Sequence, residues 1–145
     1  MIRFNIVIFC LVMAFLTGSA FAGNHTQKEL KDYFNKINRE VQQTENPAQK
    51  REVLNNSFDD LLKAFNTAQQ MPLSEKDMAG INYFKQKVQD RKNELNGLNG
   101  YDKVEDASLN QFANYSTQQF EQSAEYITIS VIALVLIIIL VALLL

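Results

Sequence analysis

The 145-residue chain carries 14 Lys and Arg residues against 16 Asp and Glu residues, which gives a net charge of −2 at pH 7. Because the charges nearly balance and no Lys or Arg follows Lys103, neither nucleic acid nor an anionic lipid surface is predicted as a partner. The single cysteine, Cys10, lies in the apolar start of the chain, so the predicted fold contains no disulfide.

Residues 1–22 have the three-part order of a cleaved signal peptide. Arg3 precedes an apolar run from Ile6 to Leu16, and small residues then lead to Ala20 and Ala22. Signal peptidase requires small side chains at the first and third positions before the cut, so we expect cleavage after Ala22 and a mature chain that begins at Gly23. An uncleaved anchor or a buried helix is the alternative, although the apolar run is short for a membrane span.

Residues 23–125 are predicted to form one extracytoplasmic domain, which is large enough for a single hydrophobic core. Apolar residues recur there at helical spacing, with scarcely any of the alternation that is typical of strands. The first helix is predicted to begin at Thr26, because Thr26 and Glu29 have the spacing of a capping box. Its predicted apolar face consists of Leu30, Phe34, Ile37 and Val41.

Two further helices begin at recognisable capping residues. Asn46 followed by Pro47 predicts the start of the second helix, although Pro47 could instead kink one long helix. Ser74 with Asp77 predicts the start of the third helix. The predicted apolar face of the second helix is Leu54, Phe58, Leu61, Phe65 and Ala68, and that of the third is Met78, Ile81, Phe84, Val88 and Leu95.

Asn96-Gly97 and Asn99-Gly100 predict the end of the third helix and a turn. A looser helical pattern follows, and it predicts a fourth helix that runs toward the apolar C-terminal segment; whether the two are continuous stays open. Its apolar positions are Tyr101, Val104, Ser108, Leu109, Phe112, Tyr115 and Phe120. The sequence thus predicts an all-α, up-and-down bundle of three or four helices followed by a single C-terminal transmembrane helix. In the three-helix alternative, a flexible stalk begins at about residue 108.

The last segment, residues 126–145, is predicted to be that transmembrane helix. Every residue from Ile127 to Leu145 is apolar except Thr128 and Ser130. At about 1.5 Å rise per residue, the segment nearly matches the roughly 30 Å hydrocarbon core of a bilayer. It contains no small-xxx-small motif among its central residues, so lateral dimerisation by close helix contact is not indicated.

Two other interpretations of this C-terminal segment stay open. A eukaryotic GPI anchor would be attached at a small residue such as Asn114, Ser116 or Ser123, and the apolar tail would be removed. A tail-anchored cytosolic protein would have a similar end, but the N-terminal signal argues against it. Sequons at Asn24, Asn55 and Asn114 would carry glycans in a eukaryote, although an Asn-rich chain produces such triplets by chance.

No catalytic, cofactor-binding or metal site is predicted. His25, the sole histidine, lies beside the expected mature N-terminus without a cysteine partner, so the usual zinc sites and nucleophilic triads lack their parts. The neighbouring carboxylates Asp59-Asp60 and Glu105-Asp106 would point about 100° apart on a helix, so they are interpreted as solvated faces. The same interpretation applies to the basic group Lys85, Lys87, Arg91 and Lys92, and the phenylalanines Phe34, Phe58, Phe65 and Phe84 are interpreted as core.

These observations favour a non-enzymatic, membrane-anchored module that binds a protein partner through the surface of its bundle. The alternative is a carrier that holds a lipid or another apolar ligand in the bundle core. An enzyme whose carboxylates are brought together by the fold is a third hypothesis. The repeated four-three spacing of apolar residues also makes self-association through helices a hypothesis to test.

Overall fold

The computed structural model describes residues 23–126 together with residues 128, 135, 138 and 139, with side chains from Lys28 onward. The predicted signal peptide, residues 1–22, and most of the predicted transmembrane segment, residues 126–145, lie outside the described residues. Cys10 and the side chains of Asn24 and His25 lie outside them as well.

Between residues 23 and 126 the chain forms four α-helices and one short 3-10 helix. The α-helices are α1 (Gly23–Gln43), α2 (Pro47–Ala68), α3 (Glu75–Asn96) and α4 (Leu109–Ala124), and the 3-10 helix is Asp106–Ser108. No strand occurs within this range, so the prediction of an all-α helical bundle is confirmed.

The starts of α2 and α3 lie where the capping residues predict them. The Asn46 side chain accepts hydrogen bonds from the backbone N–H groups of Ala48 (2.9 Å) and Gln49 (3.2 Å), and Pro47 is the first helical residue. Residues 44–46 are not helical, so Pro47 begins a separate helix and does not kink a long one. The Ser74 side chain accepts from the N–H of Asp77 at 3.1 Å.

The start of α1 differs from the prediction. Helical backbone is already present at Gly23, so Thr26 lies inside the first helix and is not its N-cap. The capping box was predicted from the spacing of two residues, but only the first backbone N–H groups of a helix lack partners within the helix. Inside α1 these groups are already bonded, so a capping box cannot form there.

Each helix runs antiparallel to its neighbours. At one end of the bundle, Lys31 of α1 pairs with Glu121 of α4 (3.7 Å), and at the other end Gln42 donates to the carbonyl of Asn110 (3.1 Å). The pair α2 and α3 is antiparallel too, since Gln69 contacts Asn82 while residue 55 contacts residue 96. The fourth helix packs beside α1 and α3, so the alternative of three helices on a stalk is wrong.

The core is a cluster of phenylalanine rings. The Phe120 ring lies 5.5 Å from Phe34, 5.6 Å from Phe58 and 5.7 Å from Phe84 between centroids, and Phe65 lies 4.9 Å from Phe84. The predicted apolar faces of the first three helices are buried throughout except for Ile37 and Met78, which are half-buried. All four phenylalanines interpreted as core are therefore core residues.

Helix α4 ends at Ala124, and Glu125 and Tyr126 form a turn in which each backbone N–H bonds three residues back (3.2 Å). Thr128 is not helical, so α4 does not run on without a break into the apolar segment. No helix among the described residues is both long and apolar enough to cross a bilayer. Val135, Ile138 and Ile139 are helical, and Val135 and Ile139 are buried.

Candidate protein-binding surface

The connection between α3 and α4, residues 97–108, is held in a defined conformation by its own hydrogen bonds. Gly97 has a left-handed backbone (φ +67°), and the N–H of Leu98 donates to the carbonyl of Asn93 at 2.9 Å, which closes the end of α3. Asn99 (φ +53°) and Gly100 (φ +86°) then reverse the chain. The predicted helix stop and turn are confirmed.

Arg51 of α2 fixes the far side of this connection. Its guanidinium donates to the carbonyl of Leu95 and to the carbonyl of Val104 (2.7 Å), and it pairs with the Asp106 carboxylate (2.8 Å). The Arg51 side chain is only 13% exposed. Because the Leu95 carbonyl lies at the end of α3, the guanidinium also meets the negative pole of that helix. Nothing in the spacing of the sequence indicates this contact, since its partners lie more than 40 residues away.

Two large apolar side chains project from the fixed connection. Leu98 is 51% exposed and Tyr101 is 39% exposed. A side chain on a fixed backbone loses little additional freedom when a partner binds, and tyrosine is enriched among the residues that dominate binding energy. We call this end of the bundle, residues 94–115 with Arg51, the loop end. The sequence pattern assigned Tyr101 to the apolar face of a helix, but in the structure Tyr101 lies in this connection and is exposed.

A cleft of about 360 Å³ lies beside the connection, between residues 102–105 and the start of α4. Its apolar lining includes Val104, Phe112 and Tyr115. The carboxylates of Glu94, Asp102 and Glu105 also line it. The cleft thus offers an apolar floor with an acidic rim.

One wall of the cleft already holds a guanidinium group of the same chain. The Arg91 guanidinium lies 5.1 Å from the centre of the Tyr115 ring, and it pairs with the Glu94 carboxylate. Cations are attracted to the negative face of an aromatic ring, so this contact keeps Arg91 and Tyr115 together at the surface. Tyr115, which the sequence pattern assigned to the apolar face of the fourth helix, is exposed.

The predicted basic group on the third helix does not form one surface. Lys92 pairs with Asp59, and Lys85 donates to Gln69 (3.1 Å), so both face α2. The other two, Lys87 and Arg91, lie over tyrosine rings on the opposite side. These cations therefore lie on two sides of α3, since residues 85 and 92 share one side of a helix and residues 87 and 91 share the other.

The adjacent carboxylates do not form shared sites. Asp59 pairs with Lys92, while Asp60 lies 3.7 Å from Lys63. Glu105 lines the cleft, whereas Asp106 binds Arg51. Within the described residues, no three His, Cys, Asp or Glu side chains are placed to hold a metal ion.

The seam between α1, α2 and α4 encloses a void of about 10 Å³. Phe34, Phe58 and Phe120 line it, together with Ser116, whose buried hydroxyl has no hydrogen-bond partner among the described residues. A void of this size holds one water molecule at most. A larger cavity of about 160 Å³ lies at the opposite end of the bundle from the loop end, between Leu30 and Ala124.

Two of the sequon asparagines make contacts between helices. Asn55 of α2 and Asn96 of α3 exchange side-chain hydrogen bonds in both directions (3.2 and 2.8 Å). Asn114 of α4 accepts from Asn38 of α1 at 2.7 Å. A glycan on the Asn55 amide nitrogen would replace a hydrogen at the contact with Asn96, so this position has a structural role that a glycan would disturb.

Comparisons with known proteins give no identification. No protein-family model, curated protein or solved structure matches the chain.

Proposed function

We propose that the chain is a membrane-anchored, extracytoplasmic helical module that binds a protein partner through its loop end, without catalysing a reaction. In this proposal the first 22 residues are a signal peptide and the four described helices form an up-and-down bundle. Residues 126–145 cross the membrane once. The apolar composition of the two ends supports the anchoring.

The observation that carries the partner-binding part is the fixed loop that exposes Leu98 and Tyr101. Exposed large apolar side chains cost solvation free energy unless a partner covers them. Arg51 fixes the backbone on both sides of these two residues, at residue 95 and at residues 104 and 106. The cleft next to them adds an aromatic floor and three carboxylates. An aromatic and apolar centre with a charged rim is the usual composition of a protein interface.

The order of the helices supports presentation away from the membrane. The chain enters the bundle at Gly23 and leaves it after Ala124, and both residues lie at the end opposite to the loop end. A span that follows residue 126 therefore leaves the loop end facing away from the bilayer. A carrier of an apolar ligand is less well supported, because the seam of the core holds only the void of about 10 Å³. The cavity of about 160 Å³ near Leu30 is lined by the charged side chains of Lys31, Glu121 and Glu125 as well as by apolar residues.

Site-specific photocrosslinking tests the proposal. A photoreactive amino acid replaces Tyr101 in the full chain, expressed in membranes of its own source, and the same residue replaces exposed Lys63 on α2 as the matched control. We expect one discrete protein adduct from position 101 and none from position 63. The adduct should disappear in the Leu98→Ser variant. Equal adducts from both positions, or none from position 101, would contradict binding at the loop end.

A further inference from the structure

A second pair of exposed aromatic rings lies at the end of the bundle opposite to the loop end. Tyr83 of α3 and Tyr126, just after α4, have ring centroids 4.9 Å apart. They are 40% and 64% exposed, and the Lys87 ammonium lies 5.3 Å from the centre of the Tyr83 ring. The two ring planes are tilted by 53°. Phenol rings in contact beside a flexible cation combine apolar area with polar tips, which suits the boundary between lipid and water.

Covalent continuity ties this pair to the apolar segment. Tyr126 directly precedes the apolar run that begins at residue 127. Thr128, within that run, donates its hydroxyl to Asp77 at 2.7 Å, and Asp77 also accepts from Ser74, the N-cap of α3. This hydrogen bond holds the start of the apolar segment against the start of α3. If the apolar segment enters the membrane, the start of α3 therefore lies close to the membrane surface.

The neighbouring α2–α3 connection, residues 69–74, is uncharged. No Asp, Glu, Lys or Arg occurs from residue 64 to residue 74. Met71 and Leu73 are half-buried against the core, and Pro72 between them is exposed. Glu75 and Lys76 follow directly, so charge returns on the first turn of α3. By contrast, the connection at the loop end carries four charged residues between Tyr101 and Ala107.

We propose that this end of the bundle, formed by residues 69–74 and the Tyr83–Tyr126 pair, lies in the lipid headgroup layer around the chain's own span. This inference rests on the membrane anchoring in the proposed function. Tyrosine is enriched at membrane interfaces. The carboxylates of Glu121 and Glu125 line a cavity at the same end and would be repelled by anionic lipid, so the inference is made for zwitterionic phosphatidylcholine.

The depth of each ring follows from helix geometry. Tyr83 lies six residues after Asp77, so its Cα atom is about 9 Å along α3, just beyond a headgroup region that is roughly 5–8 Å thick on each side of the bilayer. Helical side chains point back toward the start of their helix, and the Tyr83 ring lies 4.9 Å from the Tyr126 ring, so the ring itself reaches the outer boundary of the headgroups. Tyr126, next to the apolar run, lies deeper, and Tyr101 at the loop end lies well outside the lipid.

The chain contains no tryptophan, so one introduced tryptophan reports on a single position. The full mature chain is prepared as Tyr83→Trp, Tyr126→Trp and Tyr101→Trp variants. Tyr83 and Tyr101 are matched, since they are 40% and 39% exposed in the protein itself. Each variant is placed in phosphatidylcholine vesicles in which a fraction of the lipid carries a nitroxide quencher on its headgroup.

We expect the headgroup nitroxide to quench the Tyr126→Trp and Tyr83→Trp variants at least about twofold more than the Tyr101→Trp variant. Aqueous iodide should quench in the reverse order. Flotation of the vesicles is measured first, and a chain that does not float with them refutes the anchoring in the proposed function. Because Tyr126 adjoins the span, position 83 carries the test, and a chain that floats but shows equal quenching at positions 83 and 101 overturns this inference alone. If circular dichroism shows that Tyr83→Trp unfolds the bundle, a Pro72→Trp variant, at an exposed position of the 69–74 connection, takes its place in the comparison with position 101.

Discussion

At the scale of single residues, Tyr33 on α1 has an ionisation that folding alters. Its ring packs edge-on against Phe34, with centroids 5.6 Å apart. Burial raises the pKa of the Tyr33 phenol well above its usual value, and the negative charge of Asp60 raises it further. The folded protein therefore keeps this phenol protonated at pH values where the unfolded chain releases the proton.

This difference predicts a loss of stability in alkali. A pKa that is higher in the folded state stabilises the fold fully below the unfolded pKa of about 10, and the contribution is lost as the pH rises above that value. We expect the Tyr33→Phe variant to lose less free energy of unfolding than the parent between about pH 9 and pH 11 in urea titrations. The Tyr101→Phe variant is the control. Parallel losses in the parent and Tyr33→Phe would show that burial of the phenol has no such effect.

Substitutions at Gly97 and Gly100 test how closely the α3–α4 connection packs against itself. Both have positive φ, but a Cβ atom at Gly97 would lie 2.8 Å from the Cβ of Lys103, whereas nothing lies within 4 Å at Gly100. We expect Gly100→Ala to lower the free energy of unfolding by about 1 kcal/mol through backbone strain, and Gly97→Ala by about 2 kcal/mol or more. Urea unfolding measures both values. Equal losses would mean that the loop does not fold back onto residue 97.

At the scale of elements, helix starts that depend on contacts between residues close in sequence were predicted correctly, and features that depend on contacts from another helix were not. The starts of α2 and α3 were predictable, because Asn46 and Ser74 cap backbone groups two or three residues away. The start of α4 was not, since Tyr101 has helical spacing but lies in a loop that Arg51 holds from another helix. The exposure of Tyr115 likewise depends on α3, which places Arg91 over its ring.

The contribution of α4 to the core is open to direct measurement. Phe120 contacts the rings of Phe34, Phe58 and Phe84, so its truncation leaves a cavity at the centre of the bundle. We expect Phe120→Ala to lower the free energy of unfolding by about 3–5 kcal/mol, and Tyr115→Ala on the same helix by about 1 kcal/mol. Thermal or urea unfolding by circular dichroism gives both values. A small loss at Phe120 would indicate that α4 packs only loosely on the other three helices.

At the scale of the whole molecule, the composition and the helical spacing of apolar residues were enough to predict the fold class, but they did not predict which residues are exposed at the surface. Apolar residues at four-three spacing identified the helices, and the buried phenylalanines follow from them. The loop end was not predictable, because an apolar residue in a turn, such as Leu98, gives no sign in the sequence of whether it is covered. The partners of Lys85 and Arg91 on α3 also required knowledge of which helix lies on each side.

Processing is a property of the whole chain, and mass spectrometry of the purified mature protein measures it. We expect a chain that begins at Gly23 and retains Leu145, without a glycan at Asn55, whose amide bonds to Asn96. Retention of Met1 would contradict the signal peptide. Release from membranes by a phosphatidylinositol-specific lipase, with loss of the apolar tail, would instead identify a GPI anchor.

The length of α3 sets a distance for any encounter at the cell boundary. If residues 69–74 lie in the lipid headgroup layer, as proposed above, the start of this helix lies at the membrane surface. Its 22 residues span about 33 Å. Leu98 and Tyr101 would then stand at that height, so a neighbouring membrane protein could engage them only if its own ectodomain rises about as far. A small peptide confined to the lipid surface would pass beneath them.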